Sequence, residues 1–275
     1  MNLLERHKSF AKLHEEGCFI MPNPWDIGSA QMMAALGAKA LATTSSGHAF
    51  TLGKKDMGHV SREEALAHAS DIVRATPLPV NGDLENGYGD APDVVAETIR
   101  LAAEAGLSGC SIEDVATSQS DNFYPINLAV ERVKAAADAA NSLDQPFIFT
   151  ARADGVMLGV YDMDEAIARV IAFEKAGADA VYVPIPPSLA DIKRLCEAVS
   201  IPVNALAAGP FVKHSHSEFA AAGVRRISLG SAIARATHRI ILDSVSAMLS
   251  EGDFSPLGHS ISGDEVEKLI EKGST

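Results

Sequence analysis

Two neighbouring carboxylates offer the clearest chemistry in this chain. Asp83 and Glu85 lie in the run NGDLENGYGD at residues 81–90, which follows a short apolar stretch at residues 77–80. Because alternate residues of an extended strand share one face, both carboxylates would point the same way. Oxygen ligands at the end of a strand suit Mg2+, a hard cation. The alternative interpretation of the run is a polar turn between a strand and a helix.

A second acidic pair favours a metal site over a turn. Glu113 and Asp114 end the next strand-like segment, so they would lie at the same edge of a parallel sheet as the first pair. Asp114 is as well explained by hydrogen bonding to the framework of the sheet. Asp56, on the loop after the second strand-like segment, would reach the same place. The candidate metal-binding residues are therefore Asp83, Glu85, Glu113 and Asp56, for Mg2+ or for Mn2+ in its place.

The elements that must position these acids alternate along the chain between strand and helix patterns. The strand-like segments are residues 18–21, 38–42, 79–83, 109–114, 146–152, 180–183, 201–205 and 224–229. Eight strands, each followed by a helix, predict a single (β/α)8 TIM barrel over residues 1–275. An extra helix at residues 2–16 would precede it, with residues 250–275 as a C-terminal helical extension. The alternative is a doubly wound sheet, but this sequence lacks the GxGxxG motif after its first strand-like segment.

Composition narrows the classes of partner. The net charge of -13 argues against nucleic acid and anionic membranes. Cys18, Cys110 and Cys196 are far apart and lack CxxC spacing, which indicates free thiols in a reducing compartment. Charges stand where a signal peptide would be apolar, and no apolar run approaches the roughly 20 residues of a membrane helix. We therefore predict a cytoplasmic protein that binds neither nucleic acid nor membrane.

A barrel would gather further polar side chains at its mouth, because all eight strands end there. Ser46, Gly47, Arg152 and Asn204 follow or end different strands and are the candidate substrate-binding residues. Arg152 and the backbone N–H groups near Gly47 would bind a carboxylate. A cation beside a carboxylate clamp suits a 2-oxo acid, whose keto and carboxylate oxygens chelate metal together. The metal would then stabilise an enolate at the neighbouring carbon.

Four motifs resemble, in this order, those of the isocitrate lyase/phosphoenolpyruvate mutase superfamily: SSG at 45–47, DLENGYG at 83–89, IED at 112–114 and TARAD at 150–154. The resemblance covers nearly the whole chain. It implies a (β/α)8 barrel and a Mg2+-dependent enzyme that makes or breaks C–C or P–C bonds beside a 2-oxo acid. It assigns metal binding, partly through water, to Asp83, and substrate carboxylate binding to Ser46, Gly47 and Arg152. It also implies a C-terminal helix swapped between subunits and a homotetramer built as a dimer of dimers.

The loop after Glu113 departs from the members that act on isocitrate and methylisocitrate. Those lyases carry Lys-Arg/Lys-Cys-Gly-His there, with the Cys as acid, whereas residues 115–122 read VATSQSDN. We therefore expect neither of those two activities. Asn122 would match the Asn that mutase-type members use in this loop, although their Lys is missing. We expect residues 115–125 to close over substrate as a mobile gate that supplies no Cys or Lys acid, so the proton would come from metal-bound water, His48 or a loop hydroxyl.

The candidate catalytic residues are Arg152, His48 and Asn122. His48 follows the Ser-Gly segment and has a pKa suited to proton transfer, although a loop histidine that acts only through shape is the alternative. Arg226, next to Arg225, begins the eighth strand at the far end of the barrel, so we expect a surface or subunit contact. The helix at residues 231–249 is apolar over more than one stripe, which favours the tetramer.

Three functions remain open from the sequence. The first is a Mg2+-dependent lyase or hydrolase that cleaves a C–C bond in a small 2-oxo or 2-hydroxy dicarboxylate. The second is P–C bond chemistry on a phosphonate, of the phosphoenolpyruvate mutase or phosphonopyruvate hydrolase type, but residues 115–125 lack the cationic group that would favour it. The third is a non-catalytic barrel that binds a 2-oxo acid, against which the number of metal-directed acids argues.

Overall fold

Eight parallel strands form a barrel in the computed structural model, which describes residues 1–116 and 123–275. They are β1 (Phe19–Met21), β2 (Leu41–Ala42), β3 (Val80–Asp83), β4 (Gly109–Glu113), β5 (Ile148–Arg152), β6 (Ala180–Tyr182), β7 (Val203–Leu206) and β8 (Arg226–Ser228). Each strand from β2 to β8 pairs with the next, and β1 pairs with β8. A hydrogen bond of 3.1 Å from the Ala42 amide to the Pro22 carbonyl brings β2 to the end of β1. The predicted (β/α)8 barrel is confirmed, because the first and last strands of a doubly wound sheet would not pair.

Helices surround the strands. The described residues contain α1 (Leu3–Leu13), α2 (Ile27–Ala35), α3 (Ser45–Thr51), α4 (Arg62–Ala75), α5 (Pro92–Glu104), α6 (Ile126–Asn141), α7 (Gly155–Leu158), α8 (Met163–Lys175), α9 (Leu189–Ala198), α10 (His216–Ala221), α11 (Ala232–Glu251) and α12 (Gly263–Gly273). Two 3-10 turns lie at Gly209–Lys213 and Ser255–His259. Helix α1 is the predicted extra N-terminal helix. The short helices α3 and α7 lie in the loops after β2 and β5, at the mouth of the barrel.

Local sequence signals fix where the helices begin and end. The Asp26 side chain accepts a 2.7 Å hydrogen bond from the Ser29 amide at the start of α2. Ser61 and Glu64 exchange side-chain and backbone hydrogen bonds at the start of α4 and so form a capping box. Gly106 ends α5 with φ of 88°, a left-handed conformation that glycine adopts without a steric cost.

The segment that follows β2 and contains Ser46, Gly47 and His48 is the helix α3. Thr44 caps α3, and its Oγ1 accepts a 3.3 Å hydrogen bond from the Gly47 amide. A Cβ at position 47 would lie 2.6 Å from Thr44 Cγ2 and 3.2 Å from Trp25 Cβ, so packing requires glycine there. Successive side chains of a helix are rotated by about 100°. Ser46 and His48 therefore point in different directions.

A large apolar cluster between the strands and their helices holds the strand ends in place. It includes Ile72, Ile99, Phe149 and Phe173, which are fully buried on four different elements. Because helices cover the outer face of the strands and the barrel interior covers the other, strand residues are buried on both sides. The carboxyl ends of β2 to β8 are thus a rigid platform for the polar side chains described below.

The C-terminal region contains two contrasting helices. Helix α12, within the extension at residues 250–275, packs on α2 so closely that a Cβ at Gly273 would lie 1.8 Å from the Gln31 carbonyl oxygen. Helix α11 instead exposes apolar side chains, among them Ile241 and Leu249, which are more than half exposed. Nowhere in residues 1–116 or 123–275 is a helix both long and apolar enough to span a bilayer.

Candidate active site

A cavity of about 180 Å³ opens at the carboxyl ends of the strands. The predicted site residues that line it are Ser46, Asp56, Asp83, Glu85, Glu113, Arg152 and Asn204. The barrel thus gathers the candidate metal-binding acids and the candidate carboxylate-binding arginine around one space. Gly47 and His48 are outside this lining, and Asn122 and most of the predicted gate lie outside the described residues.

Asp83 stands at the centre of the polar contacts in this cavity. Its Oδ2 accepts hydrogen bonds of 2.9 Å from both the amide and the hydroxyl of Ser45, the first residue of α3. Its Oδ1 accepts a 3.0 Å hydrogen bond from Nη1 of Arg152 on β5. The amide of Asp83 itself donates to the Thr43 hydroxyl at 2.8 Å. Contacts from α3 and β5 therefore fix the direction of this carboxylate.

Arg152 is held by three carboxylates. Its Nη1 lies 3.0 Å from Glu113 Oε1, and its Nε and Nη2 donate to the two oxygens of Asp154 at 3.0 and 2.6 Å. Burial opposes the charge of Arg152, but Asp154, Glu113 and Asp83 raise its pKa, so it stays protonated. Burial also raises the pKa of Glu113, against the opposing effect of Arg152. The bidentate contact with Asp154 fixes the plane of the guanidinium.

Glu85 and Asp56 complete the acidic side of the cavity. Glu85 has φ of 45°, and its Oε2 accepts a 2.7 Å hydrogen bond from the Gly58 amide. Burial raises the pKa of Glu85 to about 7, and the charges of Asp83 and Asp56 add to this shift. Burial and Asp83 likewise raise the pKa of Asp56, whose Oδ1 is buried without a hydrogen-bond partner in the described part of the protein. These shifts report carboxylates crowded together away from water.

The donor set fits a hard divalent cation bound partly through water. Asp56, Asp83, Glu85 and Glu113 outnumber the arginine beside them, which leaves a surplus of acidic groups that a cation could bind. Within the described ranges, no three His, Cys, Asp or Glu side chains converge tightly enough to hold an ion directly. Mg2+ does not need that, because it keeps several waters and uses one or two carboxylates. The unpartnered Oδ1 of Asp56 is an acceptor that a cation or its water would satisfy.

Neutral polar groups also line the cavity. Asn204 on β7 donates from Nδ2 to the Ser228 hydroxyl at 2.9 Å, and both residues line the cavity. Ser46 also lines it, whereas the amide of Gly47 is taken by Thr44. The N–H group of Gly47 itself is therefore already engaged, and carboxylate binding by the backbone near Gly47 stays a prediction. Ser46 and Asn204 remain candidate substrate-binding residues.

His48 lies beside a separate, smaller cavity. Its ring stacks on His68 with centroids 3.8 Å apart and an angle of 7° between the planes. Burial, with the neighbouring His68, lowers the pKa of His48 to about 4, so it is neutral near pH 7. Asp83 and Glu85 line this smaller cavity too. The structure thus places His48 behind the acids rather than in the main cavity with Arg152.

Tyr182, Ser228 and Arg226 line the cavity and were not predicted as site residues. Tyr182 ends β6, and its ring lies 5.0 Å from the Arg152 guanidinium carbon. Burial raises the pKa of Tyr182, so its hydroxyl stays protonated. The register of the sheet would have identified Tyr182 as a site residue, because it pairs with both Arg152 and Asn204, but the sequence alone does not give that register.

Arg226 requires a correction. We expected a surface or subunit contact, but its relative exposure is 2% and it reaches the cavity from below. Because strand residues alternate, Arg226 shares the inner face of β8 with Ser228. Arg225 takes the outer face and donates to the Gly17 carbonyl at 2.8 Å. The position of Arg226 at the start of β8 did not indicate whether it is buried, since the interior of a barrel holds side chains at every level.

Fold and site together define a (β/α)8-barrel protein with a mouth of buried acids around an arginine. Residues 10–249 match the family model described as phosphoenolpyruvate phosphomutase. The chain therefore belongs to this family. It is a member of the isocitrate lyase/phosphoenolpyruvate mutase superfamily but not an isocitrate lyase of the familiar kind.

Individual relatives agree with this assignment. A candidate lyase/mutase from Burkholderia cenocepacia J2315 has a solved structure with a TM-score of 0.93 and 42% identity, covering 98% of this chain and 96% of that one. An uncharacterized protein of Mycobacterium tuberculosis is 32% identical over 228 residues, which is 81% of this chain and 82% of its own. The oxaloacetate decarboxylase of Chromohalobacter salexigens is 28% identical over 228 residues, 81% of this chain and 77% of its own. The chain is thus an enzyme of a superfamily of lyases and mutases.

Proposed function

We propose that this protein is a Mg2+-dependent lyase or hydrolase that cleaves the C–C bond next to a 2-oxo or 2-hydroxy carboxylate. The observation that carries the proposal is the surplus of buried carboxylates around Asp83, beside the charged Arg152. A cation would neutralise the acids and free the guanidinium to bind a substrate carboxylate. A site for carboxylate binding alone would not need acids that repel the ligand.

Each residue has a distinct part in this proposal. Asp83 would bind Mg2+, and Glu85, Glu113 and Asp56 would accept hydrogen bonds from its waters. When bound, Mg2+ would supply a Lewis acid beside the substrate oxygen, where C–C cleavage leaves negative charge. Arg152, oriented by its two contacts with Asp154, would donate to the substrate carboxylate.

The proton for the enolate must come from a group that reaches the main cavity. His48 lies behind the acids and is neutral, so we propose that it positions them through packing. Tyr182 lines the cavity, and its raised pKa keeps a proton on the hydroxyl. We therefore favour Tyr182 as the proton donor, or as the hydrogen-bond donor to the enolate oxygen.

The second candidate is P–C bond chemistry, which the match to the phosphoenolpyruvate phosphomutase model favours. Both reactions begin with a 2-oxo acid at the metal and differ in the group that leaves. The oxaloacetate decarboxylase relative supports C–C cleavage. We therefore rank C–C cleavage first, and the products distinguish the two.

A substrate panel tests the proposal. Purified protein, stripped with a chelator and reloaded with Mg2+, is incubated with oxaloacetate, 2-hydroxy diacids and phosphonopyruvate, and the products are identified by NMR. We expect C–C cleavage that disappears without Mg2+ and falls by more than about a hundredfold in Asp83→Asn. Asp138→Asn, at an exposed acid on α6, is the matched control and should keep wild-type turnover.

Two outcomes of the panel would reject C–C cleavage. Phosphate or rearranged phosphonate as product would favour the second candidate. Binding of the acids without turnover of any of them would favour a non-catalytic site.

The assembly and location are also proposals. The exposed apolar side chains of α11 favour a homotetramer, built as a dimer of dimers, in which a partner covers them. Whether the C-terminal helix is swapped between subunits stays a prediction. A cytoplasmic location and the lack of nucleic-acid or membrane partners also stay predictions.

A further inference from the structure

Arg226 is a buried cation whose hydrogen-bond partners are all neutral. Its Nε donates to Asn204 Oδ1 at 2.8 Å, its Nη2 donates to Thr150 Oγ1 at 3.0 Å, and its Nη1 lies 3.3 Å from His14 Nε2. Across residues 1–116 and 123–275, no carboxylate forms an ion pair with it. Burying a charge without a counter-charge is costly. The charge therefore calls for a functional explanation.

His14 does not supply the missing negative charge. Its Nδ1 lies 2.8 Å from the Phe10 carbonyl, which can only accept, so Nδ1 carries the proton and Nε2 accepts from Arg226. Burial, with the charge of Arg226, lowers the pKa of His14 to about 3, so the ring is neutral. Burial and the repulsion of Arg152 lower the pKa of Arg226 to about 10, which still leaves it charged at neutral pH.

Arg226 has donors left for a ligand. A guanidinium carries five N–H groups, and three of them are engaged by Asn204, Thr150 and His14. One N–H on each Nη has no partner in the described part of the chain. The side chain lines the same cavity as Asp83 and Arg152. A pair of free N–H groups on one guanidinium matches the two oxygens of a carboxylate.

The two arginines stand at different depths of the cavity. Arg226 contacts Thr150, which lies two residues before Arg152 on the same face of β5. Two residues of a strand span about 7 Å, so Arg226 meets β5 deeper in the barrel than the position of Arg152. One carboxylate of a small diacid can therefore face Arg152 and the metal-binding acids while the other faces Arg226.

We propose that Arg226 binds the distal carboxylate of the substrate and so selects small 2-oxo or 2-hydroxy dicarboxylates over monocarboxylates. This inference rests on the proposed function, because it takes the metal-binding acids and Arg152 as the site for the other end of the substrate. The competing explanation is structural: Arg226 would only tie α1, through His14, to the floor of the barrel. That explanation predicts lost stability with equal effects on every ligand.

Two inhibitors separate these explanations. Oxalate is short enough that both of its carboxylates stay at the metal end, whereas 3,3-difluorooxaloacetate extends a second carboxylate beyond the keto group. Calorimetry in the presence of Mg2+ gives the affinity for each. In Arg226→Met we expect at least a tenfold loss of affinity for difluorooxaloacetate and less than a twofold change for oxalate. Arg226→Lys, which keeps the charge, should recover part of the loss, and Arg225→Met, on the outer face of β8, should affect neither.

A second variant keeps the test usable if Arg226→Met does not fold. Asn204→Asp places a carboxylate where Arg226 Nε now meets an amide oxygen at 2.8 Å. The new ion pair would compensate the charge internally, so the preference for difluorooxaloacetate over oxalate should fall at least tenfold in a folded protein. An unchanged ratio in the variants would overturn the role of Arg226 alone. A wild-type protein that binds neither inhibitor with Mg2+ would overturn the proposed function, and this inference with it.

Discussion

The ion pairs around Arg152 make a strong prediction about stability. Arg152 lies 3.0 Å from Asp83, 3.0 Å from Glu113 and 2.6 Å from Asp154, whose side chain is 1% exposed. Arg152→Met keeps most of the volume but leaves these carboxylates unpaired. Breaking a buried pair in this way costs about 3–5 kcal/mol. Protonation caps the cost, since neutralising one carboxyl with an unfolded pKa of about 3.9 at pH 7 takes about 4 kcal/mol. We therefore expect the free energy of unfolding to fall by about 4 kcal/mol.

Urea unfolding at pH 7 measures this loss, with a chelator present and all variants at one protein concentration. Trp25, the only tryptophan of the chain, reports the transition. Arg194→Met is the matched control, because Arg194 forms two ion pairs at the exposed surface, and its loss should be too small to resolve. The double variant Arg152→Met/Asp154→Asn should recover part of the loss, since it removes one unpaired carboxylate. Equal stability of Arg152→Met and Arg194→Met would show that the buried ion pairs of Arg152 stabilise the fold no more than exposed ones do.

Four further predictions address the metal, the proton donor, pH and assembly. Asp83→Asn should weaken Mn2+ binding in calorimetry at least tenfold, and equal binding would remove Asp83 from the metal site. Tyr182→Phe should lower kcat with little change in KM; an unchanged kcat would exclude its hydroxyl as proton donor. Because the folded pKa of His14 is about 3 and its unfolded pKa about 6.5, stability should fall as pH drops below about 6.5, by about 1.4 kcal/mol per pH unit. His14→Gln should remove that part of the pH dependence, and an identical pH profile would contradict it. Ile241→Asp on α11 should split the assembly in light scattering, whereas a monomeric wild type would contradict the tetramer.

The barrel was predictable because, along most of the chain, the spacing of apolar residues agrees with the residues that begin and end helices. Residues such as Asp26, Ser61 and Gly106 cap or end helices through contacts within a few positions, which the sequence shows directly. The clustering of the acids could be predicted as well. Once the strands are assigned, the parallel topology brings their carboxyl ends together. Asp83, Glu113 and Arg152 meet as expected because each ends its own strand.

The remaining features depend on long-range packing. Helix α3 is too short for its periodicity to be recognised, so the opposite directions of Ser46 and His48 could not be predicted. The burial of Arg226 depends on His14, Thr150 and Asn204, which come from three other elements. Alternation along β8 places Arg225 and Arg226 on opposite faces, but the sequence does not show which face points into the barrel.

A crystal soaked with Mn2+ and oxalate tests the proposed metal site most directly, with the metal located from its anomalous scattering. We expect one Mn2+ peak within about 2.0–2.4 Å of an Asp83 oxygen, with Glu85, Glu113 or Asp56 hydrogen-bonded to its waters and oxalate between the ion and Arg152. A peak outside the cavity, or oxalate bound to Arg152 without any metal at Asp83, would exclude Asp83 as the metal ligand.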